Sequence, residues 1–329
     1  MSRRLRVLFR VAAGPRIGFG HLVRCRTLAR ARGVQAVFSI RGSSTTVQTA
    51  RQLGCRVVDA PVGLPSEYDL LVVDDPKSDT AGRWLRRGRL AGRPVAAIRD
   101  LGASGEAADL VVDGSITAES GVAGQAIGTQ FTLLDPAVLT VRRARSARRS
   151  TTLHTRPRIL VALGGGQHVR SCASAIVRAI YSKIPDAVIE VVAGFGTAAV
   201  PPLGGTARWV SRPDGLLKDL ARCDIAVVAG GMTLYEACAA GVPTVALAVV
   251  PAQQPAIRAF AARGAVTDAG LLDREGRGAE KVGRGVAYLL GDDQVRDAQV
   301  RAARRAVDGR GSLRVGQMLR TLAQEGRHV

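Results

Sequence analysis

The stretch from Asp224 to Val245, Asp-Ile-Ala-Val-Val-Ala-Gly-Gly-Met-Thr-Leu-Tyr-Glu-Ala-Cys-Ala-Ala-Gly-Val-Pro-Thr-Val, constrains the fold more than any other part of the chain. It begins with the continuous apolar run of a strand buried on both faces; Gly230 and Gly231 interrupt that run, and good helix formers follow until Gly241. Strand, glycine turn, helix and strand at this spacing describe one unit of a parallel α/β sheet. The glycines let the backbone approach a ligand without Cβ interference, and the first N–H groups of the helix, those of Met232 and Thr233, have no acceptor within it. A phosphate is their natural occupant. Glu236, one turn further on, either reaches the hydroxyls of a ribose attached to that phosphate or caps its own helix, and the pattern alone weighs the two evenly.

The N-terminus starts the same way. Leu5 to Val11 reads as a strand, Gly14, Gly18 and Gly20 make the following loop irregular, and a helix opens at His21 with Leu22, Cys25, Leu28 and Ala29 on one face. His21 is either an idle surface residue or a base at the carboxyl edge of a sheet, where α/β folds place their ligands. Strands at Val34–Ile40, Cys55–Val58, Tyr68–Val73, Pro94–Ile98 and Ala108–Val112 alternate with helices at Ser43–Leu53 and Asp79–Arg89. Pro76 ends the third of these and is expected to leave Asp74 and Asp75 exposed at its tip. Such a pair can orient a sugar hydroxyl or act as a base, although solvated loop aspartates are commoner.

Residues 141–152 are basic and lack apolar periodicity, which predicts a solvated segment between domains. After it the pattern restarts, with a strand at Arg158–Leu163, Gly164-Gly165-Gly166, and a helix from Gln167 to Ile184. The expected organisation is an N-terminal Rossmann-like domain at 1–141, a basic linker at 142–157, and a C-terminal nucleotide-binding domain at 158–329. The last helix, near Leu313–Gln324, is a candidate to return to the first domain.

Composition narrows the partners. A chain of 329 residues that is 47% apolar can fill two cores. The formal charge of +20 suggests nucleic acid, but only four of the 47 Lys and Arg residues are lysines, a bias that a GC-rich genome produces equally well. Aromatic residues, at 4%, are too few to build base-stacking platforms, so nucleic acid is the minority reading and anionic small molecules fit the charge as well. Cys25, Cys55, Cys172, Cys223 and Cys238 are odd in number and widely spaced, which favours reduced thiols in a cytoplasm and argues against a zinc site. No metal or other cofactor is expected. Neither a signal peptide nor an apolar run of the roughly 20 residues that span a bilayer is read.

Taken together, Val7-Leu8-Phe9-Arg10, the G-x-G-H-x-x-R-C element from Gly18 to Cys25, Leu163-Gly164-Gly165-Gly166, Gly230-Gly231-Met232-Thr233-Leu234-Tyr235-Glu236 and Gln253 resemble the nucleotide-sugar hydrolase family of the pseudaminic acid pathway, PseG, with its spore-coat glycosyltransferase relatives. The likeness runs to about Gly264, and its glycine-rich turns are shared with the wider GT-B class. It implies two Rossmann-like domains facing across a cleft, with His21 activating water or an acceptor hydroxyl. It also implies that Gly231–Thr233, flanked by Gly230 and the Gly164-Gly165 turn, holds the diphosphate of UDP, that Glu236 binds its ribose, and that backbone near Val210 contacts uracil. Gln253, with its neighbour Gln254, faces the sugar, as do Gly18, Gly20, Asp74 and Asp75 on the other side. Departures fall mainly on the sugar side: Pro76 stands where the hydrolases carry tyrosine, Ala252 replaces asparagine, and Gln167 replaces the acid of a Gly-Gly-x-Asp signature. The leading expectation is a UDP-sugar hydrolase that inverts the anomeric carbon. The alternative is a GT-B glycosyltransferase acting on a small or anionic acceptor.

Overall fold

Runs of Val, Leu, Ile and Ala too apolar for exposed strands build two parallel sheets, and the chain divides into two compact units, Met1–Asp135 with Arg310–Val329, and Pro136–Gly309. The structure is a computed structural model that describes residues 4–14, 17–31, 33–59, 67–99, 108–118, 125–147, 153–164, 170–194, 200–212, 214–272 and 277–326.

In the first unit, β1 (Leu5–Ala12), α1 (Gly20–Ala29), β2 (Val34–Arg41), α2 (Ser44–Gln52), β3 (Val57–Val58), β4 (Leu70–Asp74), α3 (Ser78–Leu90), β5 (Val95–Ile98), β6 (Leu110–Asp113) and β7 (Gln125–Ile127) follow one another. The sheet order is β3-β2-β1-β4-β5-β6-β7, all parallel. Strand order therefore reverses between β1 and β4, and open α/β sheets bind their ligands outside the carboxyl ends at such a point. One face of this sheet packs Leu8, Val37, Leu71 and Val73 against Trp84 and Leu85 of α3. β7 is only three residues long and escaped the sequence reading, because a run that short carries no period.

The second unit holds α4 (Val138–Ala147), β8 (Arg158–Ala162), α5 (Arg170–Tyr181), β9 (Val188–Val192), β10 (Arg208–Val210), α6 (Leu217–Arg222), β11 (Ile225–Ala229), α7 (Met232–Ala240), β12 (Thr244–Ala248), α8 (Gln254–Ala262), β13 (Thr267–Leu271), α9 (Arg277–Gly291) and α10 (Asp293–Ala306). Its order, β10-β9-β8-β11-β12-β13, reverses between β8 and β11. β11 and β12 are buried along their whole length, as their unbroken aliphatic sequences require.

The described part of the basic segment expected to be solvated, 141–147, is instead the end of helix α4 (Val138–Ala147), and residues 148–152 lie outside the described residues. Val138 and Val141 are buried, and Arg145 donates to the carbonyls of Leu220 (3.0 Å), Cys223 (2.8 Å) and Gly241 (3.2 Å). Its guanidinium thus satisfies backbone acceptors left open after two other helices, a use of charge that a count of basic residues does not reveal. The last helix, α11 (Gly311–Glu325), belongs to the first unit. A Cβ on Gly311 would lie 2.2 Å from the Thr132 carbonyl oxygen, Ser312 Oγ donates to the Leu134 carbonyl, and Arg314 donates to that of Gln130 at 2.8 Å. No helix among the described residues is long and apolar enough to cross a membrane.

Candidate active site

In the first unit the chain leaves β1 and closes a small loop in which the N–H groups and carbonyls of Gly14 and Gly18 pair reciprocally, at 3.0 and 2.7 Å. Gly18 has a φ of 86°, in the left-handed region where side chains are strained. That turn delivers Gly20 and His21 to the start of α1. His21 and Arg24 are one helical turn apart and share a face, and both reach Asp74 at the end of β4. His21 Nδ1 lies 2.7 Å from Asp74 Oδ1; Arg24 donates from Nε to Oδ2 and from Nη2 to Oδ1, both at 2.6 Å. Cys25 Sγ donates to Oδ2 at 3.4 Å.

Burial alone raises the Asp74 carboxyl, but the Arg24 fork, helped by His21, overcomes it and holds the group down at about 2. An ionised carboxylate only accepts, so Nδ1 of His21 is the donor of this bond, and Nε2 is the ring nitrogen left to exchange a proton. Burial, and then Asp74, push the Cys25 thiol well above its ordinary range, which keeps it protonated and structural.

Asp74 and Asp75 are not exposed at the strand tip. Their relative exposures are 1% and 8%, because each carboxylate is enclosed by a guanidinium from another element. Arg41 makes a two-pronged pair with Asp75, Nε to Oδ2 and Nη2 to Oδ1 at 2.6 Å each, and Lys77 N donates to Oδ1 at 2.9 Å. Sequence reasoning assigned Arg24 no role and passed over Arg41; the spacing of Arg24 three residues after His21 was the available signal.

In the second unit, Gly164 follows β8 and Gly230-Gly231 follow β11, on the two sides of the strand reversal. A Cβ on Gly230 would stand 2.8 Å from Gln253 Cβ and 3.2 Å from Ile257 Cδ1, so α8 and the turn before it press directly on this glycine. At Gly231 and Gly164 the same atom would meet nothing within 4 Å among the described residues. Gly231 is the N-cap of α7, and that helix start has neither a capping side chain of its own nor an acidic residue in its first turn, which leaves its first N–H groups without an acceptor inside the helix. Glu236 is half-buried on the second turn, and Val210 is buried at the end of β10 on the same edge. Gln253 turns its side chain back on the protein, Oε1 accepting from Val249 N at 2.9 Å, and Gln254 Oε1 accepts from Arg258 at 3.4 Å. Gly165 and Gln167 lie outside the described residues.

Arg145 and Arg304 cap the far end of α7, through the carbonyls of Gly241 and Ala240, and place positive charge where the helix dipole is negative. Gly241 adopts a φ of 73°, and a Cβ there would lie 2.1 Å from Arg304 Nε.

Two parallel α/β domains, each with its candidate residues at the strand reversal, define a GT-B fold. Solved structures similar to it over nearly the whole chain include MurG of Acinetobacter baumannii (TM-score 0.63, 14% identity, 96% of this chain and 99% of that one). Others are the spinosyn rhamnosyltransferase SpnG complexed with thymidine diphosphate (TM-score 0.62, 17% identity, 95% and 100%) and the glycotransferase of kitacinnamycin (TM-score 0.65, 16% identity, 98% and 100%). In sequence the chain is similar to the spore coat polysaccharide biosynthesis protein SpsG of Bacillus subtilis (strain 168), 28% identical over 211 residues that make up 60% of this chain and 58% of that protein. No family model matches.

Proposed function

We propose that the chain is a nucleotide-sugar-dependent glycosyltransferase in which His21 is the general base and the N-terminus of α7 holds the donor's diphosphate. The observation that carries this reading is the 2.7 Å contact of His21 Nδ1 with a carboxylate held ionised by Arg24, which leaves Nε2 to take a proton. The leaving group of a nucleotide-sugar is already stable as an anion. What the protein must add is a base for the attacking hydroxyl and positive potential on the departing phosphates. His21 supplies the first; the N–H groups of Met232 and Thr233, at a helix start with no capping side chain, supply the second. One displacement at the anomeric carbon, with inversion, follows. Glu236 serves the ribose and the backbone near Val210 the pyrimidine; UDP is the expected nucleotide, and Gln253 and Gln254 border the sugar.

Transfer is preferred because the similar sequence is named for polysaccharide biosynthesis and the similar structures for glycosyl transfer. Water as nucleophile is the second reading, which the resemblance of the G-x-G-H-x-x-R-C element to the nucleotide-sugar hydrolases favours; the contacts to Asp74 serve either nucleophile. Incubating the protein with UDP- and TDP-amino-sugars and measuring nucleotide release separates them. Release only with an added acceptor supports transfer, and release in water alone supports hydrolysis. Tight nucleotide binding without turnover under either condition overturns both.

A further inference from the structure

On the α3 face of the first sheet, the face opposite His21, a cavity of about 500 Å³ is lined by Arg10, Arg41, Lys77, Arg83, Trp84 and Arg87. β-strand alternation accounts for its placement: Arg10 and Leu8 share a face of β1, Arg41 and Val37 share one of β2, and Asp75, one residue beyond Asp74, points the same way as Val73. Five cations meet there. Asp75 is the carboxylate that faces them, and it is committed to Arg41 and to the Lys77 N–H.

Lys77, Arg83 and Arg87 are exposed and by themselves describe an ordinary solvated helix surface. Arg10 does not. It sits inside β1 with 9% exposure, donates from Nη1 to Ser39 Oγ at 2.9 Å, and its Nε has no acceptor among the described residues. Its guanidinium lies 4.8 Å from the centre of the Trp84 ring, and that of Arg87 lies 5.2 Å from the same ring, so one aromatic side chain holds two like charges beside each other. Burial, reinforced by Arg41 and Arg87, disfavours the charged form of Arg10 against the pull of Asp75. A largely buried guanidinium ringed by four further cations, with the facing carboxylate already committed, is an arrangement that an anion completes.

We propose that this cavity binds a small, multiply charged anion bearing a diphosphate or an equivalent pair of phosphate groups. Arg10 lies at its floor, and Arg83 and Arg87 of α3 line it together with Lys77, the residue before that helix. The volume suits a ligand larger than a single phosphate, and the excess of cations over carboxylates selects against monovalent ions. This inference does not rest on the function proposed above, since no residue is shared with that site.

The test is calorimetric titration of the full chain with inorganic pyrophosphate at low salt, in a Gly231→Asp background so that the start of α7 cannot bind the probe. Saturable binding of one equivalent is expected, weakened at least tenfold by Lys77→Glu with Arg83→Glu, two exposed positions whose reversal leaves the core intact. Arg10→Met, which keeps the buried stem and removes the donors, is expected to weaken binding as well. No saturable binding up to millimolar pyrophosphate, or binding untouched by the Lys77 and Arg83 reversals, overturns the proposal. Neither result depends on whether nucleotide binds near Gly231, so the two sites fail separately.

Discussion

Asp74 and Asp75 are neighbours in the chain, yet their carboxylates leave β4 on opposite faces of the sheet and belong to different ion pairs, the first with Arg24 and His21, the second with Arg41. One residue of offset separates a proton-transfer site from a basic cavity.

Asp74→Asn is expected to lower turnover by about 10²–10⁴-fold, because the amide no longer fixes the His21 tautomer. It also breaks the buried pair that Arg24 makes with this carboxylate, a loss of about 3–5 kcal/mol of stability in denaturant unfolding. The folded carboxyl titrates at about 2 rather than 3.8, so its ionised form favours the native state. That contribution, about 2 kcal/mol, is complete above roughly pH 5 and fades as pH falls toward 2. The acid limb of the stability curve is expected to flatten in the variant.

His21→Ala removes the base while leaving the Arg24–Asp74 pair in place. Nucleotide release in the presence of acceptor is expected to fall by about 10²–10⁴-fold with UDP affinity unchanged. Equal loss of binding and turnover in calorimetry and kinetics would point to a positioning role instead.

The two glycines before α7 predict opposite phenotypes. The Cβ of Gly231→Asp meets no described atom within 4 Å, so the protein is expected to fold normally and to lose at least tenfold in nucleotide affinity through repulsion at the helix start. Gly230→Ala collides with Gln253 and Ile257 and is expected to cost about 1–3 kcal/mol in stability, read as a lowered Tm.

Arg145→Ala is expected to destabilise the second domain by about 2 kcal/mol, since charge-assisted bonds to the carbonyls of Leu220, Ala221, Cys223 and Gly241 disappear. Arg143→Ala, exposed on the same helix, is expected to change stability by less than about 0.5 kcal/mol. Thermal unfolding of the pair separates a structural arginine from a solvated one.

The two α/β domains were legible in the sequence because buried parallel strands write themselves as aliphatic runs between glycine turns. The turn at Gly230–Thr233 and the helix opening at His21 were legible for the same reason. What stayed hidden were pairings across distance: Arg24 and Arg41 reach β4 from 50 and 34 residues away, and Arg145 reaches Leu220 across 75. Local pattern treats such arginines as surface charge. Within the linker expected at 142–157, residues 142–147 are helical and Arg145 is bonded to the backbone rather than solvated, and the expectation that Pro76 would leave both carboxylates in solvent failed.

The return of α11 to the first unit carries a consequence for biosynthesis. A ribosome lays down all seven strands of the first sheet early, but the helix that seals Thr132 and Leu134 emerges only after the whole of Pro136–Gly309. The domain begun first is therefore the one finished last, and its contiguous neighbour has everything it needs to fold while the earlier one still waits for its closing helix.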